Sequence, residues 1–155
     1  VPMGGVSLPE NRSFRALIGP EHEAVISKLA AERADVGRVF GVRNLPSASD
    51  WISIHAGTAS GEGSRRVPTR AQSAAILRDA TIGSLVPLAS AARIAGISVP
   101  VTDGMITLVS SILGADIASA GRKLETVGID ATNIEQARRI MDDIAQGSIT
   151  TGGAL

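Results

Sequence analysis

The sequence predicts an all-α protein, built as an irregular multi-helix bundle behind an extended N-terminal arm. Apolar residues recur at helical spacing in several segments, no alternating strand pattern of useful length is present, and glycines, prolines and capping residues separate the segments. The chain has 155 residues, of which 44% are hydrophobic and 19% charged, so it can bury a core without a disulfide or a metal. We expect an arm over residues 1–20 with one short strand near 14–18, a helical domain over 21–147 and a flexible tail over 148–155.

Composition excludes several classes of function. The chain contains no cysteine, which rules out thiolate and disulfide chemistry. Its 15 Lys and Arg balance 15 Asp and Glu, and 2% of its residues are aromatic, so neither the charge nor the stacking surface for a nucleic-acid partner is present. No run of eighteen apolar residues occurs, so we expect no membrane partner and a cytoplasmic location. Because the chain begins at Val1 instead of Met, we expect it to be a piece of a longer protein.

The first helices are predicted from their start and stop signals. Pro20 can occupy the first helical position, and apolar residues follow at helical spacing until Gly41, which predicts a helix over about 21–40. Ser47 or Ser49 caps a short second helix that ends at Gly57.

A glycine-rich loop follows the second helix. Residues 57–69 contain three glycines and a proline and cannot fill a core, so we predict a loop that presents Arg65 and Arg66. A helix over about 69–78 comes next.

The predicted core is a hairpin of two apolar helices. Between Asp79 and Asp116 there are 36 residues with two charges, Arg93 and Asp103. The stretch divides at residues 96–100 into helices of about 80–95 and 100–114, with Asp79 as a candidate cap of the first and a kink or restart at Pro87.

Two further helices complete the prediction. One spans about 116–127 and stops at Gly128. The last opens with Thr132-Asn133-Ile134-Glu135, which has the pattern of a capping box, and ends at Gly147.

The chain carries few motifs with chemistry. It has no GxGxxG turn, phosphate loop, HExxH motif or cysteine pair. His55, at the end of the second helix beside the glycine-rich loop, is either a site residue or a structural, capping histidine. Arg93 and Asp103 either pin the hairpin as an ion pair or meet a ligand's carboxylate or amine. A cluster of guanidinium groups is either a solvated surface or a carboxylate site; it consists of Arg65, Arg66, Arg70 and Arg78.

Several ordered segments together resemble a known family. They are Asp79-Ala-Thr-Ile-Gly83-Ser-Leu-Val-Pro87-Leu88, Arg93-Ile-Ala-Gly96-Ile-Ser-Val-Pro100-Val-Thr-Asp103, Leu113-Gly-Ala-Asp116 and Gly121-Arg122-Lys-Leu124-Glu-Thr-Val-Gly128, preceded by Ala31-Glu32-Arg33 and Leu45-Pro46-Ser47. They resemble the C-terminal helical domain of the opine (octopine/nopaline) dehydrogenases, in order, over about residues 21–129. The fold that this resemblance implies is like the C-terminal domain of 6-phosphogluconate dehydrogenase.

The resemblance implies an enzymatic function. Members of that family combine a Rossmann domain that binds NAD or NADP with a helical domain, and reduce the imine formed between a small 2-oxo acid and an amino acid. By resemblance, Asp79 falls on the family's active-site aspartate, which holds the substrate amine or supports the catalytic histidine. The implied substrate-binding residues are Arg65, Arg66, Arg70, Arg78, Arg93 and Asp103.

This chain departs from the family pattern in three ways. Ala74 stands where the family has an arginine five residues before the aspartate, so Arg78, Arg70 or Arg66 would have to bind the substrate carboxylate. No counterpart of the catalytic histidine lies in residues 1–20, which leaves His55 as the local candidate. The Rossmann domain is missing, so the cofactor would be bound mainly by a domain outside this chain, and the fragment alone would be inactive.

A second hypothesis comes from a different class. The chain is then a non-enzymatic helical interaction domain that binds another protein through its apolar hairpin. The same hairpin leaves room for a symmetric homodimer. A third, weaker hypothesis is a self-contained helical enzyme that uses His55, Asp79 and the loop with Arg65 and Arg66.

Overall fold

The computed structural model describes residues 14–57 and 68–147. Within these ranges every regular element is a helix, as the sequence predicts. The helices are α1 (Pro20–Val39), α2 (Ala48–Ala56), α3 (Arg70–Ala80), α4 (Val86–Ala95), α5 (Pro100–Leu113), α6 (Ile117–Ala120) and α7 (Ile134–Ala145). The strand predicted near residues 14–18 is wrong: Phe14–Leu17 forms a turn of 3₁₀-helix, since no second strand pairs with it among the described residues.

The capping signals locate α1 and α2 correctly. Pro20 is the first residue of α1, and Ser47 is the N-cap of α2, where its Oγ accepts a hydrogen bond from the Asp50 N–H. Asp50 accepts in return from the Ser47 N–H at 3.2 Å, so two otherwise unpaired donors are satisfied. The Ser47 hydroxyl also donates to Asp50 Oδ2, at 2.7 Å. The hydrogen bonds that the carboxylate accepts, first from the Ser47 hydroxyl and then from the Ser47 N–H, lower the pKa of Asp50 below its ordinary value of 3.8.

One continuous helical segment replaces the two helices predicted on either side of Asp79. α3 runs through a widened turn, Thr81–Leu85, directly into α4, and the Val86 N–H donates to the carbonyl of Thr81, five residues back. Asp79 therefore lies inside helix, and the prediction that it caps the core helix is wrong. The widened turn comes just before Pro87, where the proline ring would clash with a regular preceding turn. The sequence predicts a kink or a restart at Pro87; the structure has the widened turn there, and the helical segment continues through it.

The segment after α6 crosses this widened turn at close range. Pro87 has no N–H to donate to the carbonyl of Ile82, and that carbonyl accepts from the Arg122 N–H at 3.4 Å. Gly121 permits the approach, since a Cβ there would lie 2.4 Å from Val86 Cγ1. The Leu124 N–H then donates to Ser90 Oγ at 3.1 Å. This docking explains why the predicted helix over 116–127 is wrong: α6 ends at Ala120, and only a short 3₁₀ turn, Glu125–Val127, follows.

Two groups of buried side chains form the core, and all of their members except Val36 and Ile117 come from the stretch between Asp79 and Asp116 that the sequence predicts to be buried. The first contains Val86, Ile106, Val109 and Ile117. The second contains Val36, Ala92 and Val99. The start of α4 thus packs near the end of α5 and the end of α4 near the start of α5, which is the antiparallel hairpin that the sequence predicts.

A carboxylate on α1 caps the N-terminus of α5. The residue before α5 is Val99, whose side chain cannot accept a hydrogen bond. Glu32 supplies the acceptors instead: its Oε1 accepts from the Val101 N–H at 2.8 Å, and its Oε2 accepts from the Thr102 N–H at 2.9 Å and from Thr102 Oγ1 at 2.7 Å. Thr102 is fully buried. Glu32 therefore joins α1 to α5 while satisfying two of the helix's first N–H groups.

α7 closes the bundle beside α4 and the end of α1. Its N-cap is Asn133, whose Oδ1 accepts from the Gln136 N–H, one residue later than the predicted pairing of Thr132 with Glu135. Ala137 is fully buried, and Arg138 Nη2 donates to the carbonyl of Val39.

Among the described residues, no single helix has both the length and the apolar character to cross a bilayer. α5 and the segment Ile117–Val127 meet those criteria only as a pair bent by 106°.

The Glu32 cap predicts a stability defect. Glu32→Ala leaves two backbone N–H groups and the Thr102 hydroxyl without their acceptor. We therefore expect the free energy of unfolding to fall by about 2–3 kcal/mol. Thermal and urea unfolding measure this loss, and a double-mutant cycle with Thr102→Val should show coupling. Asp143→Ala, an exposed carboxylate on α7, is the matched control and should change stability by less than about 0.5 kcal/mol. Equal effects of the two alanine variants would contradict the cap.

The close approach at Gly121 predicts a second defect. Gly121→Ala forces a methyl group against the buried Val86 side chain, so we expect a loss of about 1–3 kcal/mol. Val86→Ala in the same chain should recover part of that loss. Gly104→Ala in α5 is the control: its Cβ meets nothing within 4 Å, so it should be neutral or stabilising by up to about 1 kcal/mol. Tolerance of alanine at Gly121 in urea unfolding would show that the segment does not dock here.

Candidate functional site

The candidate catalytic aspartate lies near the C-terminal end of α3. Asp79 and Arg78 are adjacent and exposed, and Arg70 is exposed at the start of the same helix, two turns earlier. Asp79 is followed after one residue by the widened turn Thr81–Leu85. Such turns interrupt regular helices frequently at functional sites. The exposed end of α3 therefore presents a carboxylate and guanidinium groups to whatever covers it.

The other predicted charges lie in a cleft that we call the Arg93 cleft. It has a volume of about 270 Å³ and lies between α4, α5 and the segment from α6 to Lys123. Val86, Ala89 and Ile106 form its apolar floor. Its polar side chains are Arg93, Asp103, Thr107, Ser119 and Lys123.

Arg93 and Asp103 face the same cleft without pairing to each other. Ion pairs in the described part of the chain join Arg15 to Glu23, Asp35 to Arg38 and Lys123 to Glu125, and none joins Arg93 to Asp103. The predicted pinning ion pair is therefore wrong. Arg93 lies in the last turn of α4 and Asp103 in the first turn of α5, where each charge is already favoured by the dipole of its own helix.

Asp79 and Arg93 lie far apart along the same helical segment. They are fourteen residues apart on one continuous helical segment, which corresponds to roughly 21 Å of helical rise. Asp103 borders the cleft at the Arg93 end. The structure therefore divides the predicted site residues between two places, the end of α3 and the Arg93 cleft.

His55 belongs to another part of the bundle. It is exposed on α2 and its ring lies 4.4 Å from the Trp51 ring, centroid to centroid, at an interplanar angle of 40°. α2 packs against α1, whereas α3 packs against α5. The structure gives His55 a contact with Trp51, and His55 makes no ion pair with Asp79 among those of the described residues. Arg65 and Arg66 lie outside the described residues.

Sequence reasoning missed three polar side chains of the Arg93 cleft. Lys123 follows the glycine that docks on α4, Thr107 lies one turn after Asp103, and Ser119 lies in α6. Hydrogen bonds from the Ser119 hydroxyl and its N–H lower the pKa of Asp116 below its ordinary value of 3.8. The Asp-x-x-Ser spacing was the available signal for this cap, but nothing local to Lys123 shows that it reaches the cleft.

The described residues hold no group of three or more His, Asp or Glu side chains that could bind a metal ion. Among the same residues, no strand leads into a glycine-rich turn and a helix, which is the unit that binds a dinucleotide.

Comparison with known proteins gives one informative match. No protein-family model matches the chain. The chain is 26% identical over 123 residues to an opine dehydrogenase from Arthrobacter sp. (strain 1C), an alignment that covers 72% of this chain and 34% of that protein. The chain thus spans about a third of the length of this relative. It is distantly related to opine dehydrogenase, in agreement with the resemblance that its sequence segments show.

Proposed function

We propose that this chain forms the helical, substrate-binding part of a nicotinamide-dependent oxidoreductase similar to opine dehydrogenase. The observation that carries the proposal is the distant similarity to an opine dehydrogenase over 72% of the chain. The substrate would be the adduct of a small 2-oxo acid with an amino acid, and the reaction the reduction of its imine or keto carbon. Because the chain matches a third of that relative, the catalytic unit would be completed by a Rossmann domain elsewhere in the protein.

The cofactor would be bound mainly outside this chain. NAD or NADP would supply the hydride of the reduction. The described residues do not fit the dinucleotide, because they include no strand and no phosphate-binding turn.

The role of this chain would be to orient the substrate at the end of α3. An ionised carboxylate only accepts hydrogen bonds, so Asp79 suits the amine of the substrate or an imidazolium supplied by the other domain. Arg78 and Arg70, exposed on the same helix, suit the substrate carboxylates, since a guanidinium binds a carboxylate through two parallel hydrogen bonds. When a second domain covers this end, the loss of water strengthens these interactions.

A second candidate function is supported by exposed apolar side chains. Ile76 on α3 and Leu108 and Ile112 on α5 are 55%, 51% and 62% exposed. A helical interaction domain without enzymatic activity would use such a surface to bind another protein, and a homodimer would use it to bind a second copy. The sequence that precedes this chain in its gene separates the alternatives, since a strand, a GxGxxG turn and a helix favour the oxidoreductase.

The role of Asp79 is tested by kinetics on the complete protein that contains this chain. Asp79→Asn keeps the shape of the side chain but removes its charge, so we expect kcat for imine reduction to fall at least tenfold while the melting temperature changes little. Asp142→Asn, an exposed carboxylate of α7, is the matched control and should leave kcat unchanged. Full activity of the Asp79 variant would remove this residue from the site.

The proposal that the cofactor is bound mainly outside this chain is tested by calorimetry on this chain alone. Titration with NADH or NADPH should give no measurable heat of binding, because the described residues contain no phosphate-binding turn. Binding at micromolar concentration would contradict the proposal that the cofactor is held elsewhere.

A further inference from the structure

One side of α5 is exposed to solvent and carries no charge. The other side packs into the bundle, whereas Leu108 and Ile112 are 51% and 62% exposed. Between Asp103 and Asp116 the sequence has no charged residue, although the solvent-facing side of a helix normally carries charges. Large exposed aliphatic side chains on an uncharged helix face indicate a surface that another molecule covers.

Gly104 lies inside α5 on this exposed side, and the bundle itself does not require a glycine there. Its backbone is helical, so no turn explains it. A Cβ at this position would meet nothing within 4 Å, so no close contact among the described residues explains it either. A glycine inside a helix costs about 0.5–1 kcal/mol relative to alanine. The hollow above Gly104 is accounted for when a side chain from another molecule fits into it.

Gly104, Leu108 and Ile112 are evenly spaced along α5. Steps of four residues place them on one ridge of the helix surface. A two-fold axis beside Leu108 brings this side chain onto its counterpart in a second copy of the chain. When the two α5 helices run in opposite directions, Ile112 of each copy lies over Gly104 of the other, because both positions are four residues from Leu108. A large side chain then fits the hollow at the glycine, so the ridge is complementary to itself.

The charge of Asp103 also favours opposite directions. Asp103 lies five residues from Leu108, so in the antiparallel pair the two Asp103 residues are separated by ten residues of helix, roughly 15 Å. This distance exceeds the Debye length of about 8 Å at physiological ionic strength. In a parallel pair the two carboxylates would face each other, and the two Gly104 residues would leave a void between the helices.

We propose that this chain forms an antiparallel dimer with a second copy of itself through the ridge of Gly104, Leu108 and Ile112. α3 packs against α5 and supplies further exposed surface beside it, Ile76 included. α5 and α3 have 14 and 11 residues. They are thus roughly 21 and 16 Å long, and two copies bury about 1,000 Å² in total, near the lower limit for a specific interface. The dimer therefore dissociates readily, with a dissociation constant in the micromolar range.

The proposal rests on the exposed apolar surface given above for an interaction domain or a homodimer, and it specifies the partner and its orientation. It is compatible with either candidate function, since the ridge is separate from the carboxylate and guanidinium groups at the end of α3.

Sedimentation velocity of this chain at about 1–100 micromolar measures the dimer. We expect a monomer–dimer equilibrium that shifts with concentration. Leu108→Glu places two carboxylates at the axis and should weaken dimerisation at least tenfold. The melting temperature of the dilute chain should change little, because the side chain is half exposed. Leu108→Lys should have the same effect, and a mixture of the two variants should form a heterodimer, since opposite charges then meet. Ile54→Glu on α2 is the matched control: Ile54 is 58% exposed and lies outside the ridge, so its dimerisation should equal that of the unchanged chain.

Gly104→Leu tests the hollow. Leucine favours a helix more than glycine does, and a Cβ at this position has open space within the chain, so the monomer should be at least as stable. Dimerisation should nevertheless weaken at least tenfold, because Ile112 of the second copy no longer fits. Unchanged dimerisation of this variant would show that the two helices do not meet at Gly104 and would overturn the arrangement.

Single cysteines determine the direction of the two helices, because the chain has no thiol of its own. Under mild oxidation, Leu108→Cys should form a disulfide with its own copy. Gly104→Cys and Ile112→Cys should cross-link when mixed but not separately. In the antiparallel pair, identical positions at either end of the ridge are eight residues apart, roughly 12 Å, whereas a disulfide spans Cα atoms up to about 7 Å apart. Cross-linking of Ile112→Cys with itself would indicate parallel helices and overturn the arrangement.

A chain that stays monomeric at about 100 micromolar, or a dimer that Leu108→Glu leaves intact, would overturn the proposal. Either result would leave the oxidoreductase function standing, because turnover of Asp79→Asn tests that function independently. A monomeric chain would also leave an interaction domain possible with a different protein as its partner, and the sequence that precedes the chain in its gene tests that alternative separately.

Discussion

The arrangement of the bundle depends on the hydrogen bonds that the Glu32 carboxylate on α1 accepts from the start of α5. α5 begins after Val99, a residue that cannot cap it, and the N–H groups of Val101 and of the fully buried Thr102 would otherwise be unpaired. Glu32 satisfies them from α1, on the side where Val36, Ala92 and Val99 form a buried cluster. The polar contact and the apolar cluster therefore hold the same helices together. The residue that follows the capped Thr102 is Asp103, so the cap also sets the position of one wall of the Arg93 cleft.

A second constraint arises from the proline in the longest helical segment. Pro87 cannot complete the hydrogen bonding of a regular helix, and the chain responds with a wider turn over Thr81–Leu85. The carbonyl of Ile82 is left for a partner outside the helix, and the Arg122 N–H takes it. Gly121 brings the backbone close enough for this contact. The same docking brings Lys123 to the Arg93 cleft. The position of Lys123 therefore depends on the widened turn that precedes Pro87.

Local signals in the sequence predict most of the helices, and long-range contacts account for most of the errors. Pro20, Ser47 and Gly57 act within a turn of themselves, so the ends of their helices are predicted closely. The helix expected over 116–127 fails because Gly121 responds to Val86, which is distant in sequence. The prediction of Asp79 as a cap fails because an aspartate within a helical segment looks the same in sequence as one at its start.

For the candidate site, the sequence identifies Arg93 and Asp103 as site residues. It indicates neither that Lys123 joins them nor that Asp79 lies apart from them. The Glu32 cap is also invisible to local patterns, although the absence of a capping residue before Pro100 indicates that an acceptor must come from elsewhere.

The position of Glu32 in the chain has a kinetic consequence. Val101 lies 69 residues after Glu32, whereas the contacts among α3, α4, α5 and α6 join neighbouring elements. Contacts between close elements cost less chain entropy, so they form earlier during folding. The segment from α3 to α6 would then assemble first and α1 would dock late. By the same logic, α1 is the element that detaches first in native-state fluctuations, and the amide protons of Val101 and Thr102 would exchange with solvent sooner than those in the middle of α5.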